Sequence, residues 1–329
     1  MKLYEWMRKP PWFMSVSNWV TDEDDPVRAG PNARKAVLIP LLVLQYGSLA
    51  AKLRSVVHIR RYVARSLVEL RNSARGIRDN PHTGTRSIDA ETLRELETLA
   101  TSLGVTGIGY TKVNPDHIFE GFEILYDNAI LFTMAMDREA MASNPSPASN
   151  AEIFRTYAGL GVAVNEIAQW LRDRGFDCQA SPAIGGDINT VPTAQDANLG
   201  HIGKNGILVT PEHGPCVRLA AIFVDIDNLP LAETHDHGWI EGFCDTCNLC
   251  VRACPGGAIH ETPRYRSADR GGGRVFIERE KCAPAFSEGC SRCITSCPFV
   301  SGRYDRIREV YERRQARRAE RVGGPVVGR

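Results

Sequence analysis

A chain of 329 residues makes one large domain or two modest ones, long enough to bury a sizeable core. Forty Lys and Arg against 39 Asp and Glu leave a formal net charge of +1, so global electrostatics gives no reason to expect a nucleic-acid or polyanion binder. Apolar residues at 43% and charged residues at 24% exclude general disorder, and ten cysteines, eight of them between Cys244 and Cys297, exclude a disulfide scaffold. Residues 1–35, rich in Trp, Pro and charge, read as an irregular arm. The start has neither a signal-peptide apolar run with a small-residue cleavage site nor a twin-arginine pair, so a cytoplasmic protein is expected.

Ala36–Ala51 is apolar but interrupted by Pro40, Gln45 and Gly47. Its 16 residues fall short of the roughly 20 that span a bilayer, so a core- or partner-facing helix is expected and membrane insertion is not. The helical pattern continues to about residue 77, and a polar link runs from Asp79 to Thr85. Asp89 caps a helix with Leu93, Leu96, Ala100 and Leu103 on one face, stopped by Gly104. Val105–Tyr110 and Ala129–Met136 read as strands, the second apolar on both faces and therefore central. Ser143–Ser149 forms a turn-rich break, and an amphipathic helix is expected over Tyr157–Arg174, ended by Gly175. Two further strands, Gly206–Thr210 and Arg218–Ile226, flank a Pro-Glu-His-Gly-Pro turn. The alternation predicts an α/β layer domain over residues 85–230. An Arg-rich helix is expected from about 303 to 321; its mixed charges suit a solvated face, or the docking of an acidic electron donor.

The cysteines carry the sharpest signal. Cys244-x2-Cys247-x2-Cys250-x3-Cys254-Pro255 is the run of bacterial ferredoxins, and Cys282 with Cys290-x2-Cys293-x3-Cys297-Pro298 supplies a second half. Three thiolates at i, i+3 and i+6 wrap three irons of a cubane, and the fourth cysteine ligates the other cluster in two-cluster ferredoxins. Cluster one is therefore expected on Cys244, Cys247, Cys250 and Cys297, and cluster two on Cys254, Cys282, Cys290 and Cys293. Zinc is the competing reading, but zinc ribbons separate two pairs by a longer spacer rather than packing four cysteines before a proline. Two [4Fe–4S] clusters form a low-potential wire, and a wire alone does not need some 240 residues before it. The upstream domain is expected to hold the terminal acceptor. No flavin or nicotinamide motif is present, so electrons come from an external donor such as ferredoxin or flavodoxin.

Asn198–Asp225, with its Thr-Pro-Glu-His-Gly-Pro and Val-Arg-Leu-Ala segments, runs directly into the cysteine motif. This arrangement resembles the cobalamin-dependent reductive dehalogenases and, more distantly, the epoxyqueuosine reductases, over roughly Asp127 to Val300. The resemblance implies a base-off corrinoid in a nitroreductase-like α/β (α+β) layer domain, followed by a ferredoxin-like domain with two [4Fe–4S] clusters. It implies Tyr157 as proton donor, with Arg218 stabilising the tyrosinate. It also implies corrinoid contacts at Gly200, Gly203 and Gly206, with Lys204 and Asn205 at the polar rim. The expected boundaries are an arm and helical segment over 1–85, the corrinoid and substrate domain over 86–235, the cluster domain over 236–302, and a basic helix over 303–329.

The function implied is reductive dehalogenation of an organohalide through Co(I), with a small-molecule substrate and no DNA partner. Two alternatives stand beside it: a [4Fe–4S] electron-transfer protein without corrinoid, and a tRNA-modifying reductase. The epoxyqueuosine reductases carry an acid in Arg-Asp-Tyr where this chain reads Arg155-Thr156-Tyr157, so tRNA is not the expected partner. The chain also departs from the dehalogenase pattern, with Cys216 in place of an arginine, His201 in place of a glutamate, and a changed Ile184–Asp187 segment. Cys178 and Cys216 are expected as buried thiols, Cys216 being flagged for redox activity because of its position. Residues 1–85 are left with two roles, covering the corrinoid face or forming a homodimer contact.

Overall fold

The computed structural model describes residues 15–36 and 45–322. The expectations for residues 1–14, 37–44 and 323–329, most of the apolar stretch after Ala36 included, fall outside the described residues. In chain order the first half forms β1 (Val27–Arg28), α1 (Leu49–Gly76), α2 (Ala90–Ser102), β2 (Gly107–Lys112), β3 (Glu123–Ile124), β4 (Asn128–Ala135), α3 (Arg138–Ala142) and α4 (Pro147–Arg172). There follow β5 (Cys178–Ser181), α5 (Thr190–Asp196), β6 (His201–Ile202), β7 (Leu208–Val209) and β8 (Val217–Val224). The cysteine segment holds α6 (Trp239–Cys247), α7 (Leu249–Ala253), β9 (Tyr265–Ser267), β10 (Gly273–Val275), α8 (Arg279–Ser287) and α9 (Arg292–Thr295). The chain then enters α10 (Tyr304–Val322). No helix among the described residues is long and apolar enough to cross a membrane.

The main sheet has the order β2-β4-β8-β5, and every pairing in it is antiparallel. Side chains alternate across a strand, which divides the core in two. Ile130 and Phe132 of β4 and Ala220, Ile222 and Val224 of β8 face one way, against α2 and α4. Ala129, Leu131, Leu219, Ala221 and Phe223 face the other, under α5 and the 113–126 segment. β4 is central and almost wholly buried, as its two-faced apolar run requires. α1 lies outside α4, so helices stack two deep on that side.

The structure departs from the sequence expectations at two points. Helices and strands alternate, yet among the described residues every pairing in the main sheet is antiparallel, a mixed helix-and-sheet fold of α+β type. The two strands expected around the Pro-Glu-His-Gly-Pro turn are present and join different sheets. β7 turns away to pair with β6, while β8 enters the main sheet beside β5, a strand whose Cys178-Gln179-Ala180-Ser181 is buried on both faces. Finally, α4 begins at Pro147, not at Tyr157. Ser146 caps it in a reciprocal box with Ser149, and Pro147 stands at the first turn, where its missing N–H costs nothing. Tyr157 is therefore carried well inside the helix.

Asp187 ties these layers together. Fully buried, its carboxylate accepts from Ser15 Oγ (2.8 Å) and Ser17 N (3.0 Å) of the N-terminal arm and from Gln179 Nε2 (3.1 Å) of β5. Burial pushes its carboxyl up to about 7, against the pull of those three donors. The protonated form is favoured by folding, so its contribution is complete below about pH 4 and is lost as pH rises through about 7. Asp187→Ala is expected to cost about 1–3 kcal/mol, read by chemical denaturation, because buried donors are left unpaired on two elements. An unchanged midpoint would show that the arm holds without it.

Candidate redox site

Strand parity explains how one proposed residue meets another. Arg218 shares the even face of β8 with Ala220 and Ile222, which is the α4 side, and it stands opposite Met134 of β4. There its guanidinium carbon lies 5.0 Å from the centre of the Tyr157 ring, in cation–π contact. Phe154, one turn earlier, meets Tyr157 edge-on at 6.0 Å. Both members of the pair are half-buried. Arg218 Nε is buried and has no hydrogen-bond partner, a donor without an acceptor inside the protein. Thr156, beside Tyr157, is fully buried and donates its hydroxyl to the Glu152 carbonyl at 2.9 Å.

The cysteines separate into two groups. Cys244, Cys247, Cys250 and Cys297 line one cavity, together with Gly203, Lys204 and Asn205. Burial pushes the Cys244 thiol up to about 11, with Cys250 and Cys247 adding to the rise, while the Lys204 N–H donates to it and opposes that rise. Burial raises the Cys297 thiol as well, and Cys244, Cys250 and Cys247 act on it in the same direction. On the other side Cys282 is raised to about 11 by burial, then by Cys254 and Cys290. Cys293 is raised to about 12 by burial, then by Cys282 and Cys290, with Cys250 also within range. Thiols raised in this way are poor anions alone and become thiolates when a metal takes the proton's place. No three His, Cys, Asp or Glu side chains converge tightly enough for a single metal ion among the described residues. Cys254 Sγ accepts from the Ala258 N–H at 3.2 Å.

The two groups face different surroundings. Cys293 packs with Cys216, Met136 and Ile294, two residues along the chain from Arg218. Cys244 and Cys297 pack with Trp239, Phe243, Phe299 and Tyr304. Tyr304 and Tyr311 of α10 stack on this aromatic group, at 5.1 and 5.8 Å from Trp239. His237 Nε2–H donates to the Asn198 carbonyl (3.1 Å), so its Nδ1 accepts from the Tyr304 hydroxyl (2.6 Å), which accepts in turn from Trp239 (2.9 Å). The basic helix is thereby fixed beside the Cys244 group.

The glycine-rich unit serves partly as a joint. Gly200 has φ +155, and a Cβ there would lie 2.2 Å from the Val209 carbonyl oxygen, so β6–β7 pairing itself demands glycine. Gly206 has φ +75, and a Cβ there would meet Ile277 at 3.6 Å and Arg270 at 3.9 Å, ordinary contact distances, so its backbone conformation is what favours glycine. Lys204 is buried and donates to Asn248 Oδ1 (2.6 Å) and the Glu261 carbonyl (2.9 Å); Asn205 donates to the Cys293 carbonyl (3.2 Å). Their side chains are spent on the cysteine segment. Gly214, in the turn after β7, lies against Phe299: with φ +56, a Cβ would come within 2.6 Å of the Phe299 carbonyl carbon. Gly214→Ala is expected to cost roughly 1–3 kcal/mol and to speed the loss of iron, seen as faster bleaching of the cluster absorbance under a chelator.

Residues 243–300 match the 4Fe-4S dicluster domain family. The chain is 33% identical over 186 residues to a tetrachloroethene reductive dehalogenase of Sulfurospirillum multivorans, covering 54% of this chain and 36% of the relative. A tetrachloroethene reductive dehalogenase of Desulfitobacterium hafniense is 30% identical over 218 residues, 62% of this chain and 38% of its own. The chain resembles the reductive dehalogenases. An epoxyqueuosine reductase of Gloeobacter violaceus also matches, at 30% identity over 184 residues, 50% of this chain and 54% of the relative. The fold is that of a catabolic reductive dehalogenase structure, with a TM-score of 0.61 at 19% identity over 88% of this chain and 46% of the other. A structure described as suggesting a mechanism for B12-dependent dehalogenation gives a TM-score of 0.56 at 18% identity, over 75% and 39%. The chain spans about a third to a half of the length of the curated relatives it matches.

The structure also assembles groups that motif reading passed over. Phe243 precedes Cys244, and Phe299 follows Cys297 by two, so proximity to the cysteines was a usable signal for the aromatic group. Arg34, Asn189 and Arg270 had no such signal, since they come from the arm, the cap of α5 and the turn after β9. Cys216, flagged for redox chemistry, is 1% exposed and pushed by burial up to about 11, as an inert thiol would be.

Proposed function

We propose that this protein is a corrinoid- and [4Fe–4S]-dependent reductase that removes a halogen from an organohalide. The observation that carries the reading is the Tyr157–Arg218 pair: a phenol with no hydrogen-bond partner among the described residues, under a guanidinium whose buried Nε is also unpartnered. Unspent donors of this kind fit a site built for a ligand. The reaction consumes two electrons and one proton, replaces carbon–halogen by carbon–hydrogen and releases halide. When bound, a corrinoid supplies the reducing metal. Tyr157 gives the proton, and Arg218 stabilises the phenolate that donation leaves. Gly200, Gly203 and Gly206 form the turn proposed to face the ring, Gly206 with a positive φ of +75 and Gly200 in close contact with Val209.

Cluster one is assigned to Cys244, Cys247, Cys250 and Cys297, and cluster two to Cys254, Cys282, Cys290 and Cys293. Because Cys293 packs with Cys216, two residues before Arg218, while Cys244 lies under the aromatic group and α10, electrons enter at cluster one and leave from cluster two. α10 carries seven arginines against four acidic residues, which suits an acidic carrier of the ferredoxin or flavodoxin class. The nitroreductase-like layer type and the boundaries at 86, 236 and 303 belong to the same reading. The buried Thr156 in place of an acid favours this reading over tRNA modification. The test is anaerobic reconstitution with hydroxocobalamin: cluster-loaded protein should retain a corrinoid absorption band through gel filtration and release halide from a haloaromatic or haloalkene. Protein with intact clusters that keeps no corrinoid would reduce the reading to an electron-transfer protein.

A further inference from the structure

Arg34, on the N-terminal arm, keeps its side chain 25% exposed and lies within electrostatic range of Arg270 and Arg279. Its Nη2 donates to Asn189 Oδ1 at 2.8 Å and its guanidinium carbon lies 5.5 Å from the Phe119 ring centre. Its Nε is buried with no hydrogen-bond partner; the Asp269 carboxylate, 3.5 Å away, is not aligned to accept. Asn189 is only 3% exposed, and its Nδ2 likewise has no partner. Two buried donors on touching side chains thus point to a missing acceptor.

The charge balance agrees. Burial pushes Arg34 down to about 9, and Arg279 and Arg270 push it further the same way, while Asp269 opposes them. Burial also lowers Arg270, with Asp269 opposing and Arg279 adding to the shift. His117, taken down to about 4 by burial, is neutral here. Arg34 and Arg270 both lie in range of the Asp269 carboxylate, with the exposed Arg279 a third positive charge near them, and guanidiniums do not give up their protons in proteins. Like charges brought together in a partly buried cluster are more tolerable when an anion accompanies them. Arg270 also borders the glycine-rich turn, since a Cβ on Gly206 would lie 3.9 Å from its Nη1, and it lines a cavity with Lys204 and Gly272 that reaches Cys244.

We propose that Arg34, Asn189 and Arg270 form an oxyanion site for a phosphate group, with Arg279 adding charge from the surface. This deepens the corrinoid reading and rests on it for the identity of the ligand: a complete corrinoid carries one phosphodiester in its nucleotide tail. Two arms test the site on cluster-loaded protein. In the first, inorganic phosphate alone is titrated at constant ionic strength, with the melting temperature as readout. Wild type is expected to be stabilised; Arg34→Gln and Arg270→Gln, checked for normal cluster absorbance, are expected to lose most of the shift. No phosphate shift in wild type, or equal shifts in both variants, overturns the inference whatever happens with corrinoid.

The second arm compares cobalamin with cobinamide, which has the ring but not the phosphodiester. Each variant should weaken cobalamin binding roughly 10–100-fold and leave cobinamide binding unchanged. Equal losses for both ligands overturn the phosphate assignment. If wild type binds phosphate but neither corrinoid, the oxyanion site stands and the corrinoid reading falls, so the two failures are distinguishable.

Discussion

Tyr157→Phe is expected to lower halide release by about 10²–10⁴-fold, the range a positioned general acid contributes, while cluster content and corrinoid retention stay at wild-type levels. The substitution removes one oxygen that makes no hydrogen bond within the described protein, so the fold has nothing to lose. The ring keeps its edge contact with Phe154 and its place beneath the Arg218 guanidinium. Arg218→Met gives the complementary result: a smaller loss, because the phenol is still present but its conjugate base has lost the adjacent positive charge. A double variant no slower than Tyr157→Phe alone would show that Arg218 acts through the tyrosine. Unchanged turnover in Tyr157→Phe would remove this residue as the proton source.

The second large effect concerns which cysteines share a cluster. Cys297→Ala is expected to halve the iron content and to abolish the cluster held by the first cysteine run, although Cys297 lies in the second. The double variant Cys244→Ala/Cys297→Ala should lose no more iron than either single one, whereas Cys254→Ala/Cys297→Ala should lose nearly all of it. Electron paramagnetic resonance of the reduced protein reads this directly, since two nearby reduced clusters couple and one alone does not. The physical reason is the grouping of Cys297 with Cys244, Cys247 and Cys250 in one cavity and of Cys254 with Cys282 and Cys290. Iron loss that follows sequence order instead would refute the crossed arrangement.

Local signals were legible where a short stretch decides the outcome. Asp89 accepts from the Glu91 and Thr92 N–H groups at the start of α2, as its position before an apolar face requires. β4 is central because a run apolar on both faces has nowhere else to go. α10 follows from helix-forming charged residues with Tyr304 and Ile307 on one side. The helix over Tyr157 was read too short, because the break at Ser143–Ser149 contains the cap of α4: serine and proline signal a turn and a helix start equally well. β5 carries a weak local signal because it has only four residues and none is β-branched or aromatic.

By itself the sequence determined the spacing of eight cysteines, the Asp89 cap of α2 and the faces of β4, since each depends on residues within a few positions of one another. It determined the likeness to reductive dehalogenases for the same reason, through contiguous segments. Only the tertiary structure decided that the sheet is antiparallel and that Arg218 and Tyr157 touch across two elements. It also brought Arg34 of the arm to Asp269, within electrostatic range of Arg270 and Arg279, whereas the cavity shared by Cys297 and the first cysteine run follows the ferredoxin spacing. Such contacts join residues tens to hundreds of positions apart. Their geometry is fixed by strand parity and layer packing, and no local pattern records it.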